Sequence, residues 1–347
     1  MKRRSLSILL STALVLTLLT LPVSSVAKSK SKVFNWNWQT YAMPTADMYK
    51  TAKATFKRLA KATDGRLVIT LHPGNALVPD PQVFDAMSRG VFEGCIHTAS
   101  YLGGKDMGYT LSVQPPPMLF GDAWQMAGWY YTWGGQDLLN KYYEKMKLYH
   151  LGMNVVSAEC ILSKKPIASL DNFKGLKIRS LPGATTMMFE KLGCSVLKIP
   201  GAELYSALDT GIIDACEFVG PAEDYDAKLH EVTKYVQYPG VHTQCAARDV
   251  MVSLKAWNSL PPDLQEALVM AVHDYEATDY FISEPHQRQA LKKIVDYGLV
   301  PQPMTPQDEA KGKKLGMEVA MEMMKMSPMA KEILTSMLEY LKSIEAQ

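Results

Sequence analysis

The chain has 347 residues, with 37 Lys and Arg against 35 Asp and Glu and an apolar fraction of 47%, so it must fold, and two lobes are the expectation at this length. A charged fraction of 21%, with 22 Gly and 20 Pro spread along the chain, excludes a disordered, collagenous or coiled-coil protein. The formal charge of +2 falls to −1 without Lys2, Arg3 and Arg4, which leaves no basic footprint for nucleic acid.

Residues 5–27 carry no charge, and behind Lys2, Arg3 and Arg4 they form an apolar run that Pro22 ends; Val26 and Ala27 precede Lys28. This is secretory leader architecture, and small residues at Ser25 and Ala27 place cleavage after Ala27 and the body in the periplasm. An uncleaved anchor is the competing reading, since the run is just long enough to cross a bilayer. Cys95, Cys160, Cys194, Cys216 and Cys245 are odd in number and never paired as C-x-x-C, so they read as buried free thiols and not as a metal or redox motif.

Residues 33–41 predict a strand and 44–63 an amphipathic helix closed by Asp64-Gly65; a strand over 66–72 and a helix over 80–89 follow. Residues 95–100 predict a buried strand, with Tyr101 in the loop at its carboxyl end, where open α/β sheets bind ligands. After Pro115-Pro116-Pro117, residues 124–149 are aromatic-rich and helical. The α/β rhythm then restarts: strands over 155–162, 176–179, 196–199 and 213–219, helices over 183–192 and 202–210. An extended segment over 245–254, a long helix over 263–297 and a Met-rich helical stretch over 306–347 complete the chain. The expected architecture is α/β and two-lobed, with a ligand cleft between lobes and long C-terminal helices: residues 1–27 as leader, 33–154 with 247–285 as the first lobe, and 155–246 with 286–347 as the second lobe and terminal helices.

Catalytic signatures are missing: there is no H-E-x-x-H, G-x-S-x-G, P-loop or dinucleotide glycine fingerprint. An exported two-lobed chain without chemistry suits a receptor that closes over a small solute. The stretch Leu170-Asp171-Asn172-Phe173-Lys174-Gly175-Leu176-Lys177-Ile178-Arg179 resembles the signature of the solute-binding proteins of tripartite ATP-independent periplasmic (TRAP) transporters. His72-Pro73-Gly74-Asn75-Ala76-Leu77-Val78, Phe84-Asp85-Ala86-Met87-Ser88-Arg89-Gly90 and Asp214-Ala215-Cys216-Glu217-Phe218-Val219-Gly220-Pro221 strengthen it, and the last, with Tyr238-Pro239-Gly240, is most similar to the subgroup that binds 2-oxo monocarboxylates.

The resemblance implies a periplasmic-binding-protein fold, a small organic anion held by Arg179, delivery to TRAP permease subunits in the membrane, and no enzymatic activity. A guanidinium is a rigid fork of donors matched to a carboxylate; without the resemblance, an Arg ending a short strand reads as a surface residue. Glu217 beside a bound acid needs a further positive charge. The subgroup supplies it with a cation, and the matching ligands here are Glu217 and the backbone of Phe218. The subgroup's glutamine falls on Ala158, beside Glu159, and its second glutamate on Thr243, so Glu159 and Thr243 are the remaining oxygen donors for a sodium or calcium ion. No other cofactor is implied. Alternatively Glu217 accepts a hydrogen bond from a ligand hydroxyl or ammonium, is protonated, or is satisfied by backbone amides. Tyr101 and Phe218 are expected to close on the ligand's apolar part; Phe218 stands where the subgroup has tryptophan. The resemblance also implies pairing with a second copy through the terminal helix. Two alternatives remain at this stage: a ligand sensor for a membrane kinase, and a secreted lyase or hydrolase using Glu217 with Asp214 or His242.

Overall fold

The structure, a computed structural model, describes residues 32–156 and 158–345; the leader expected over 1–27 lies outside them. Residues 33–345 form one compact unit built on two sheets. In chain order the first sheet's side of the molecule comprises β1 (Phe34–Thr40), α1 (Asp47–Ala62), β2 (Leu67–His72), α2 (Val83–Ser88), β3 (Gly94–His97), α3 (Ala123–Thr132), α4 (Gly135–Tyr143) and β4 (Leu148–Val156). The chain then supplies β5 (Ile161–Ser163), β6 (Lys177–Arg179), α5 (Ala184–Lys191), β7 (Ser195–Leu197), α6 (Leu204–Asp209), β8 (Ala215–Glu217), α7 (Pro221–Asp226) and β9 (Tyr235–Gln237) to the second. It returns through β10 (Ala246–Ser253), α8 (Leu254–Ser259) and α9 (Pro262–Tyr297), and ends in β11 (Val300–Pro301), α10 (Pro306–Met326) and α11 (Pro328–Glu345).

The first sheet runs β2-β1-β3-β10-β4, with β1 parallel to both neighbours and β10 antiparallel to β3 and β4. Alternation drives β1: Phe34, Trp36 and Trp38 are buried while Asn35 and Asn37 face solvent. In α1, Met48, Tyr49, Ala52, Phe56 and Leu59 recur at helical spacing and cover that sheet, and Trp38 meets Phe56 edge-on at 5.0 Å. Trp36 and Trp38 are therefore core residues. The second sheet runs β11-β9-β5-β8-β6-β7, with β6 parallel to β7 and β8.

Three connections join the sheets: the crossing from β4 to β5, residues 238–245 and the 36-residue α9. Leu264, Leu268, Val272 and Tyr275 of α9 pack into the first lobe's core, while Leu291, Ile294 and Val295 pack into the second's. The single strand read over 155–162 is thus two: the chain leaves the first sheet at Val156 and enters the second at Ile161. Alternating apolar residues continue through the crossing, which hides the break from the sequence. The helical stretch read over 124–149 is likewise divided, by Gly134 at φ +82°, and gives way to β4 at Leu148.

Ser327 and Pro328 break the terminal helical stretch. α10 stays with the second lobe, packed on α5 with Lys191 and Glu322 paired at 2.8 Å. α11, grouped by the sequence with the second lobe and terminal helices, lies against α3 and α4 of the first: Trp129 donates to Ser336 at 3.1 Å, and Lys141 meets Glu332 at 2.6 Å. Its face of Ile333, Leu334, Met337 and Leu341 supplies the apolar contact. Met317, Met321 and Met326 of α10 remain exposed. All five cysteines are free thiols, four of them buried. Among the described residues no helix is long and apolar enough to cross a membrane.

Candidate functional site

β6 and β8 are parallel neighbours in register, Arg179 opposite Cys216, so their carboxyl ends open at the same edge of the sheet. Arg179 closes β6 and Glu217 closes β8, and their side chains are only 3% and 1% exposed. The guanidinium donates Nε to the Ile199 carbonyl at 3.1 Å, and Nη1 to the Glu217 carbonyl at 2.7 Å and to Glu217 Oε2 at 3.1 Å. Nη2 has no acceptor among the described residues. Glu217 Oε1 accepts the Leu181 amide at 3.2 Å, so each carboxylate oxygen holds one donor and keeps a free lone pair. Phe218, half-buried, lays its ring 5.7 Å from the Arg179 guanidinium carbon.

The other wall belongs to the crossing segments. The Gly240 amide donates to the Glu159 carbonyl at 2.8 Å, holding the two strands of chain together. A Cβ at Gly240 would sit 2.5 Å from His242 Nδ1 and 3.1 Å from the Glu159 carbonyl oxygen, so this approach requires glycine. His242, fully buried, places Nε2 at 3.2 Å from Glu159 Oε2. Burial pushes the His242 imidazole down to about 4, with Glu217 opposing and Arg179 adding to the shift. Burial, and then the proximity of Glu217, push the Glu159 carboxyl well above its ordinary range. Their contact is a single hydrogen bond between the ring nitrogen and the carboxyl oxygen. Facing ligand atoms of Glu159, Glu217 and His242 all lie within 4.8 Å of one another.

Tyr101 comes from the first lobe, on the helical turn 99–102 that follows β3 and that Thr98 caps through the Ser100 amide at 3.3 Å. Burial, and then Asp80, raise its phenol, and Arg179 opposes them. Behind Tyr101, the buried His97 is boxed by Tyr41, Phe84 and Tyr101 at ring distances of 5.6, 5.7 and 5.6 Å, with Asp80 Oδ1 3.4 Å from Nε2. The lobes meet around the site: a methyl on Gly103 would lie 3.2 Å from Pro182, and one on Gly183 would lie 3.1 Å from Gln114.

Residues 39–326 match the profile of the bacterial extracellular solute-binding protein family 7, DctP. The chain belongs to this family. It is 34% identical over 312 residues to the monocarboxylate 2-oxoacid-binding periplasmic protein of Nostoc sp. strain PCC 7120, which spans 87% of this chain and 84% of the relative. A TRAP solute-binding protein of Bordetella bronchiseptica RB50, solved with calcium and picolinate bound at one site, is 26% identical and superimposes with a TM-score of 0.82, covering 91% of this chain and 94% of that one. One from Colwellia psychrerythraea with bound calcium and pyruvate is 27% identical, with a TM-score of 0.80 over 91% and 96% of the two chains.

In this family 7 solute-binding protein the two-lobed α/β architecture is as the sequence implies. Of the residues singled out, the structure gathers Arg179, Glu217, Phe218 and Glu159 at one place, with Tyr101 opposite. Thr243, also buried, lines a narrow space with Pro115, Pro116, Pro117 and Phe120, and it is its neighbour His242 whose ring meets Glu159. Asp214 stands apart at the other end of β8, paired with Lys165 at 2.9 Å, so the pairing of Glu217 with Asp214 considered for a lyase is not formed. His242 was paired with Glu217 only in the lyase or hydrolase alternative, and the two do come together here; His97 is the cleft residue that sequence reasoning did not place. His242 had only a weak signal, a histidine two residues after a Pro-Gly turn.

Proposed function

We propose that this chain is the extracytoplasmic receptor of a TRAP transport system. It captures a small 2-oxo or 2-hydroxy monocarboxylate between its lobes and delivers it to a membrane-embedded, ion-driven permease, with no covalent chemistry of its own. The observation that carries this reading is Arg179: a guanidinium 3% exposed, aimed by the Ile199 carbonyl and Glu217, with Nη2 left for an acceptor from outside the protein. Charge-assisted bonds to a carboxylate are worth most where water is excluded.

Pyruvate and picolinate, bound with calcium in the two structural relatives, each carry a second donor atom next to the carboxylate, which supports a chelating acid here too. Arg179 binds the acid group, and Glu217, the Phe218 carbonyl and Glu159 are the protein oxygens offered to a cation bridging acid and protein. Tyr101 and the Phe218 ring enclose the apolar remainder. One lobe binds first, hinge closure adds the contacts of the other, and the closed form docks on the permease. The leader is removed near Ala27, and the receptor works in the periplasm.

Isothermal titration of the purified chain with pyruvate and longer 2-oxo acids tests this reading. Micromolar affinity, about −8 kcal/mol, is expected for a preferred acid, and Arg179→Ala abolishes it. Undiminished affinity in Arg179→Ala removes the central residue from the proposal.

A further inference from the structure

The donor set in the cleft departs from what calcium or sodium requires. A calcium ion takes six to eight oxygen ligands, and the titratable side chains converging here are two carboxylates and one imidazole. Imidazole nitrogen is a ligand for borderline divalent cations such as zinc, cobalt and nickel, whereas calcium selects oxygen. His242 is no chance neighbour: it is fully buried, held by Gly240 at its Nδ1 side, with Nε2 turned to Glu159.

Charge sets aside sodium and leaves the choice between divalent cations to the ligand atoms. With both glutamates ionised, the four side chains Arg179, Glu159, Glu217 and His242 sum to −1, and a bound monocarboxylate makes −2. A divalent cation neutralises that buried set, whereas sodium leaves it at −1. Glu217 can join although Arg179 and Leu181 already donate to it, because a lone pair remains on each oxygen. Three protein ligands leave positions for the oxygens of the acid, the pattern of an open transition-metal site.

We propose that Glu159, Glu217 and His242 form a site for a borderline divalent transition-metal cation, of the zinc or cobalt(II) class, in preference to calcium or sodium. This rests on the receptor reading above and specifies the cation through which that receptor reads its acid.

The test uses the purified chain stripped of metal with chelator and exchanged into metal-free buffer. Thermal shifts are measured with zinc, cobalt(II), calcium or sodium chloride alone, and again with pyruvate. Zinc and cobalt stabilise the chain at concentrations at least about ten-fold below calcium, and cobalt(II) gains visible d–d bands on binding. His242→Gln loses those bands, and its zinc affinity falls by at least about ten-fold, the scale on which lost metal-site contacts register. Glu159→Gln weakens zinc in the same way, and it serves as the second variant should His242→Gln fail to fold. Calcium stabilising at concentrations equal to or below zinc overturns the proposal, as does a zinc response unchanged in both variants. Pyruvate binding that needs calcium and is not supported by zinc overturns the metal assignment while leaving the receptor intact. Pyruvate binding under no metal condition overturns the receptor reading, and a zinc response lost in His242→Gln then still supports the metal site.

Discussion

Two arginines are buried among acids in this molecule, and they are used in opposite ways. Arg248, on β10, is saturated by the protein: Nε donates to Tyr41 at 2.7 Å, Nη1 to Asn154 at 2.9 Å and Asp279 at 3.1 Å, and Nη2 reaches Glu223 at 3.5 Å. Those partners come from the first lobe, from α9 and from α7 of the second, so Arg248 stitches the lobes together. Arg179 spends Nε and Nη1 on the protein and keeps Nη2. A guanidinium whose donors are all used is structure, whereas one held rigid with an edge left over is a receptor for an anion.

The largest effect that could break this comparison is on stability. Arg248→Met leaves Asp279 buried without its cation, and chemical denaturation is expected to show a loss of about 3–5 kcal/mol. Arg179→Lys keeps the charge and loses the fork; acid affinity measured by calorimetry falls about 100-fold, or about 2.7 kcal/mol, while the denaturation midpoint stays close to that of the parent chain. A loss of stability in Arg179→Lys as large as in Arg248→Met would mean that both arginines are structural. Gly240→Ala drives a methyl into His242 and the Glu159 carbonyl; overpacking of this kind costs about 1–3 kcal/mol, and metal-dependent acid binding weakens about ten-fold by the same titration.

A dependence on pH sharpens what a cation does for a buried acid. Asp279 and Glu276 lie one turn apart on α9. Burial lifts Asp279 to about 6 with Arg248 opposing, and lifts Glu276 to about 8, where only the Tyr131 hydroxyl and a backbone amide oppose. The folded chain therefore keeps a proton on Glu276 that the unfolded chain releases above about pH 4.5. Stability is lost as pH rises from there towards 8, by up to about 1 kcal/mol per pH unit. Glu276→Gln is expected to flatten that slope in denaturant melts between pH 5 and 8, and an unchanged slope would show that Glu276 is ionised when folded.

Much of the fold is legible because burial patterns are local. The Trp36 and Trp38 alternation announces β1, and Pro262 opens α9 where the sequence places it. Short elements escaped: α7, β9 and the two-residue β11 are set by neighbours distant in sequence and carry no periodicity of their own. The site divides in the same way. Arg179 and Glu217 were legible only through the resemblance, since an arginine ending a three-residue strand gives no local sign of burial. Glu159 stood beside the position that the resemblance marks. His242 was named only as a catalytic alternative, and its contact with Glu159 was hidden because the match falls on Thr243 and because the loop folds back through the Gly240 amide to the Glu159 carbonyl, a contact across some eighty residues of chain.

The five thiols carry a consequence for how the molecule is made. Cys95, Cys160, Cys216 and Cys245 lie within cores, Cys160 donating to Asp224 at 2.8 Å, and none is joined to another. No covalent cross-link has to be installed after export, so the chain can reach its final shape without an oxidant or a shuffling catalyst. Its melting temperature should be indifferent to reductant, an unusual independence for a protein that works outside the cytoplasm.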